Sequence, residues 1–101
     1  MGDSRITVMS YESIDKIISA WATDFALTVY HEYKDVEVRS TDVVGSSGAK
    51  CQIWIDPPDA HNRVGVHVWN YRDKRAHSLV PASQLRESLK SAYATALGWV
   101  S

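Results

Sequence analysis

Cysteine is nearly absent from this 101-residue chain, where Cys51 stands alone. A disulfide framework and a four-cysteine zinc site are therefore excluded. An excess of charge of either sign is missing too: 11 Lys and Arg face 12 Asp and Glu, for a formal net charge of −1. A global basic field of the kind that drives phosphate-backbone binding is thus lacking. No apolar run approaches the roughly 18–20 residues of a membrane-spanning helix. Met1-Gly2-Asp3-Ser4-Arg5 opens no signal-type apolar segment, so the expected compartment is the reducing cytoplasm. Repeats, low-complexity tracts and linkers are also missing, and a single domain over residues 1–101 is expected.

Against these absences, 45% of the residues are hydrophobic, which argues for a packed core and against intrinsic disorder. The aromatics are four Trp and five Tyr beside a single Phe. Trp and Tyr join a large apolar area to one polar atom, and a purely structural core does not require that bias.

Ile14, Ile17, Ile18, Trp21, Ala22, Phe25 and Val29 recur at helical spacing, which predicts a helix over about residues 12–33, capped by Ser10 or Ser13. A strand over Ala26–Tyr33, turned at Lys34-Asp35, is the alternative, because Thr28-Val29-Tyr30 has strand propensity. From Val36 the period becomes two. Strands are expected over about residues 36–42, 50–56, 64–72 and 75–80, separated by Gly45-Ser46-Ser47-Gly48, by the loop Asp56–Arg63 and by a two-residue turn at Asp73-Lys74. Pro81 suits the first position of a closing helix over about residues 82–97, with Gly98 as its stop. The expected fold class is α+β: α-β-β-β-β-α, an antiparallel meander of three to four strands with both helices on one face.

Alternation places Val36, Val38, Cys51, Ile53, Ile55, Val64, Val66 and Val68 under the helices, and the Asp73-Lys74 turn adds Leu79 by pairing it with Val68. The open face then receives Glu37, Arg39, Thr41, Lys50, Gln52, Trp54, Asp56, Gly65, His67, Trp69 and Tyr71. The alternative is that the N-terminal ten residues or Trp99-Val100 fold across these aromatics.

Each candidate for chemistry has a plainer structural account. Cys51 with His67 or His77 as base would make a nucleophilic pair, but the alternation puts Cys51 inward and His67 outward, so an inert buried thiol is expected. His31-Glu32-x-x-Asp35 is half of a helical metal motif without its second His, and a polar helix end accounts for it. Asp56, Asp59 and His61 are weak candidates for a divalent cation in a loop whose residues also end a strand and make turns. Gly45-Ser46-Ser47-Gly48-Ala49-Lys50 lacks the helix start of a phosphate loop and reads as a hairpin connection. His67 with Glu37, Asp56 or Arg39 is the best acid–base cluster available. Arg63, Arg72, Lys74 and Arg75 flank the third strand, yet Val64–Tyr71 and Lys50–Asp56 lack the Gly/aromatic pattern of single-strand RNA readers.

The sequence therefore leads to a non-catalytic protein-binding module without cofactor. Its expected partner is another protein, or a second copy in a homodimer, with no membrane partner and nucleic acid disfavoured. Trp54, Trp69 and Tyr71 are the expected anchors, with Arg39, His67 and Arg72 setting polar specificity. By size and architecture alone the analogy is to small bacterial or phage inhibitors, immunity proteins included, although many of these are more acidic. The rival readings are a small enzyme or ligand-binding protein centred on His67, and a single-stranded nucleic-acid binder.

Overall fold

In the computed structural model, which describes residues 10–101, the apolar stripe beginning at Ile14 is the buried side of helix α1 (Asp15–Asp24). Ser10 accepts a hydrogen bond from the Glu12 backbone, but no side chain caps the helix itself. The helix does not reach Tyr33. Ala26 takes a left-handed conformation at φ 55°, Leu27 N–H donates to the Ala22 carbonyl at 2.8 Å, and Ala26 N–H donates to Thr23 at 3.3 Å. This is a Schellman closure, usually marked by Gly or Asn. Here Ala occupies the position, so no sequence signal announces the stop.

Of the strand alternative over Ala26–Tyr33, only Tyr30–Tyr33 is realised, together with its turn at Lys34 and Asp35. Strand β1 (Tyr30–Tyr33) turns through Lys34 and Asp35, both at positive φ, into β2 (Val36–Val44). Consecutive positive φ values at a two-residue connection match the right-handed twist of the flanking strands. Next come β3 (Lys50–Ile55), β4 (Arg63–Trp69) and β5 (Arg75–Pro81). All five strands form one antiparallel sheet in sequential order. Pro81 ends β5, and a 3-10 turn at Ala82–Gln84 leads into α2 (Leu85–Val100). The architecture is α+β as expected, with five strands where three to four were anticipated.

Both helices lie on one side. Helix α2 packs across β2 to β5 and α1 packs on α2, where Phe25 and Tyr93 stack with centroids 4.3 Å apart. The core joins Ile14, Ile18 and Trp21 to Cys51, Ile53, Ile55, Val64, Val66, Val68, Leu85, Leu89 and Ala96. Gly98 does not end α2, which continues until Val100 enters the core. The hairpin glycine Gly45 lies so close that a Cβ on it would stand 2.1 Å from the Val100 carbonyl oxygen. The Trp99-Val100 segment thus stays with the helical layer, while the N-terminal nine residues lie outside the described ones.

Two face assignments are corrected by register. Between Tyr30↔Ser40 and Glu32↔Glu37 the pairing slips by one residue, a bulge on β2 around Val38 and Arg39. Alternation breaks there, both residues are buried, and Val36 is left exposed. Beyond the bulge Arg39, Thr41 and Val43 pair with Ile55, Ile53 and Cys51, so they share the helical side of the sheet. Arg39 and Thr41 are therefore not open-face residues.

The second correction concerns β5. Its connection to β4 is a five-residue loop, Asn70–Lys74, in which the Asn70 side-chain oxygen accepts the Arg72 and Lys74 N–H groups at 2.9 Å. Val68 consequently pairs with Ala76 and Gly65 with Leu79. An odd-numbered slip exchanges the faces of a strand, so Leu79 leaves the core side and is 49% exposed.

Candidate functional site

The register lays residues in rows across the side of the sheet without helices. Tyr30, Ser40, Trp54, His67 and His77 are successive cross-strand partners, one from each strand. The adjoining row is Asp42, Gln52, Trp69 and Arg75. Opposed side chains in such rows stand close enough to touch, and several do. The His67 and His77 rings stack 4.5 Å apart at 18°. The Arg75 guanidinium lies 5.2 Å from the Trp69 ring centroid, and Tyr71 packs on that indole at 4.8 Å.

His67 Nε2 is 2.7 Å from Asp56 Oδ2. Asp56 follows the last residue of β3, and its carboxylate folds back over Gly65 on the neighbouring strand. A Cβ at Gly65 would stand 2.4 Å from that oxygen, so a bare α-carbon is the condition for the contact. Gln52, Trp54, Asp56, His67, Trp69, Arg75 and His77 enclose an open depression of about 400 Å³. It offers flat apolar rings, two imidazoles, one guanidinium and one carboxylate. The Trp69 indole N–H is covered and has no acceptor among the described residues.

Tyr71 reaches this face by a route other than the expected one. It belongs to the β4–β5 loop at φ 67°, and its hydroxyl donates to Asp42 Oδ1 on β2. Burial, then the hydrogen bond to the Asp42 carboxylate, pushes its hydroxyl above the ordinary phenol value. Arg72 lies in the same loop and lines a different depression, at the end of the sheet, with Lys50 and Trp99.

Of the six expected partner-binding residues, Trp54, His67, Trp69 and Tyr71 therefore come together. Arg72 stands at one end, and Arg39 is on the opposite side. The Arg39 guanidinium donates to both Asp15 carboxylate oxygens at 2.7 and 3.0 Å, to Glu37 at 3.0 Å and to the Val38 carbonyl, 4.5 Å from the Tyr11 ring centroid. These carboxylates and the tight hydrogen bonding hold it charged, above its ordinary value. Its role is to tie α1 to the sheet. Tyr30, Ser40, Asp42, Arg75, His77 and Leu79 are the members of the face that sequence reasoning missed, and all six depended on the β1 assignment, the β2 bulge or the β5 register.

The remaining candidates separate. Cys51 is buried on the helical side and burial pushes its thiol up, away from the reactive thiolate. Asp59 accepts the His61 and Arg63 backbone N–H groups and the Arg63 side chain, and these bonds, the Arg63 backbone bond foremost, hold its carboxyl below the ordinary value. Asp56 is engaged with His67, so Asp56, Asp59 and His61 do not converge. His31 and Glu32 lie on β1 and Asp35 in its turn, where the helical i, i+4 relation no longer exists. Among the described residues no three His, Cys, Asp or Glu side chains gather as metal ligands, and no helix is long and apolar enough to cross a membrane. Gly45 to Ala49 close the β2–β3 hairpin, with Gly48 at φ 90°. Comparison with known proteins found no matching family model, no matching curated protein and no matching solved structure.

Proposed function

We propose that this chain is a non-catalytic binding module whose open sheet face engages a protein partner, in the manner of a small inhibitor or immunity protein. The observation that carries the reading is the convergence of Trp54, Trp69 and Tyr71 with His67, His77 and Arg75 on a face that no described element covers. Aromatic rings with polar atoms, flanked by an arginine, are the side chains that dominate protein interfaces. Leu79 and Tyr30, 49% and 54% exposed, extend the apolar area toward both edges. The test compares proteins retained by immobilised wild type, by a Trp54→Ala/Trp69→Ala double variant and by Arg86→Ala, which alters the helical side where Arg86 pairs with Asp24. The expected result is a protein held by wild type and Arg86→Ala but lost from the double variant. If every retained protein also binds the double variant, the proposal fails.

A second reading, a small-molecule site centred on His67, is favoured by one observation, the Asp56–His67 contact beside the depression of about 400 Å³. A carboxylate that orients an imidazole is a common device for binding or proton transfer. The readings separate at Gly65→Ala. That change displaces Asp56 and would abolish small-ligand binding, while leaving the tryptophans to hold a protein.

A further inference from the structure

The two edges of the sheet are built differently. Strand β1 carries the devices that discourage pairing with another chain: it has four residues, its pairing with β2 is bulged, and Glu32, Lys34 and Asp35 surround its end. Strand β5 carries almost none of them. It runs for seven residues in unbroken register with β4, almost entirely exposed, and its single charged side chain is Arg75 at one end. Long, regular, weakly charged edges invite another strand, which is why proteins blunt them where pairing is unwanted.

The direction of the free hydrogen-bonding groups follows from the bonds at either end of the β4–β5 ladder. Asn70 N–H donates to the Lys74 carbonyl at 3.1 Å, and Ala82 N–H donates to the Asn62 carbonyl at 3.0 Å. With the register between them regular, the bonded pairs of an antiparallel ladder fall on Ala76, Ser78 and Val80. The N–H and C=O groups of Arg75, His77 and Leu79, with the Pro81 carbonyl, therefore point away from the sheet. Among the described residues nothing pairs with them.

We infer that β5 pairs antiparallel with β5 of a second copy of this chain, joining two sheets into one across a two-fold axis normal to the sheet. Centring the pair on Ser78 sets His77 opposite Leu79, so these residues exchange both hydrogen bonds in each half. Arg75 N–H donates to the carbonyl of the opposite Pro81, which has no N–H to leave unpaired. The two Arg75 side chains fall at opposite ends of the pair, without like-charge opposition. On the helical side Ser78 meets Ser78 and Ala76 meets Val80, small residues beside a groove lined by Gln84, Ser88 and Ser91 of the 3-10 turn and α2. This inference rests on the edge, not on the aromatic face, and a two-fold normal to the sheet leaves both faces open on the same side.

The experiment is sedimentation of the purified 101-residue chain up to millimolar concentration, combined with amide hydrogen exchange at low and high concentration. The expected result is a dimer in which the His77 and Leu79 amides gain protection with concentration, while those of Ala76, Ser78 and Val80 are protected throughout. Leu79→Pro removes an outward N–H that has no partner within one chain, and should weaken the dimer roughly 30-fold by losing two hydrogen bonds across the axis. Ser78→Lys sets two ammonium groups opposite each other and should likewise give monomer with unchanged circular dichroism. A chain that remains monomeric, or a dimer that neither variant weakens, or one that leaves the His77 and Leu79 amides unprotected, overturns the inference.

Discussion

Replacing Gly65 with Ala probes the geometry beneath the His67 contact with the least chemical change. A Cβ there would lie 2.4 Å from Asp56 Oδ2 and 3.2 Å from His67 Nε2. The carboxylate must give way, because it is the end of a side chain 44% exposed and free to turn into solvent. Losing an exposed polar side-chain contact of this kind costs up to about 1 kcal/mol. Replacing Gly by Ala in extended backbone returns about 0.5–1 kcal/mol by restricting the unfolded chain. The two nearly cancel, so the melting temperature should move by less than about 8 °C for a domain of this size. The same substitution at Gly45 meets a different obstacle, since its Cβ would stand 2.1 Å from the Val100 carbonyl oxygen. That atom belongs to backbone at the end of α2 and cannot rotate away. Moving the last turn off the core should cost about 2–4 kcal/mol, a fall of roughly 10 °C or more. Thermal melting of both variants, with a crystal structure of the first, makes the comparison. If Gly65→Ala melts as low as Gly45→Ala, or keeps Asp56 within hydrogen-bonding distance of His67, the steric reasoning is wrong.

Tyr11 is buried, and burial foremost, then the Asp56 charge, pushes its hydroxyl up to about 12. A folded value above the unfolded one of about 10 contributes stability below pH 10, worth about 3 kcal/mol, that is lost as pH rises from 10 toward 12. Tyr71 is shifted in the same direction. Absorbance titration should show these two of the five tyrosines resisting ionisation until the chain unfolds; five ionising together near pH 10 with circular dichroism intact would contradict this. Asp15→Ala removes the two-oxygen partner of the buried Arg39 guanidinium, although Asp15 is itself 42% exposed and Glu37 remains. A loss of about 1–2 kcal/mol is expected in chemical denaturation, and an unchanged midpoint would mean that Arg39 is held by packing alone. Cys51 should react with a thiol reagent at least about 100-fold more slowly in the native chain than in denaturant, because access requires opening of the core.

What the sequence disclosed, and what it withheld, divides along physical lines. Strands β3 and β4 were legible because their side chains alternate without interruption, and Cys51, Ile53, Ile55, Val64, Val66 and Val68 all lie where the period of two places them. Trp54, His67 and Trp69 follow from the same regularity. The errors sit where the backbone departs from its period. The end of α1 was hidden because Ala26 adopts a conformation that its side chain does not advertise. Arg39 was misplaced by a bulge, a feature of pairing between strands that no single strand records. Leu79 was misplaced because Asn70 organises a five-residue loop, and a different loop length reverses every side chain that follows. Tyr71 reached the expected face for a reason alternation does not contain, through a left-handed loop position and its bond to Asp42.

The excess of tryptophan offers the most direct test that the open face is the working surface. Trp54 and Trp69 lie on that face, while Trp21 is in the core and Trp99 packs against the core from α2. The four indole N–H signals can be followed by NMR as the partner retained in the capture comparison is added to isotope-labelled chain. A partner on the face should shift the Trp54 and Trp69 signals and leave those of Trp21 and Trp99 in place. Shifts at Trp21 or Trp99 with Trp54 and Trp69 unmoved would place the partner on the helical side and contradict the account.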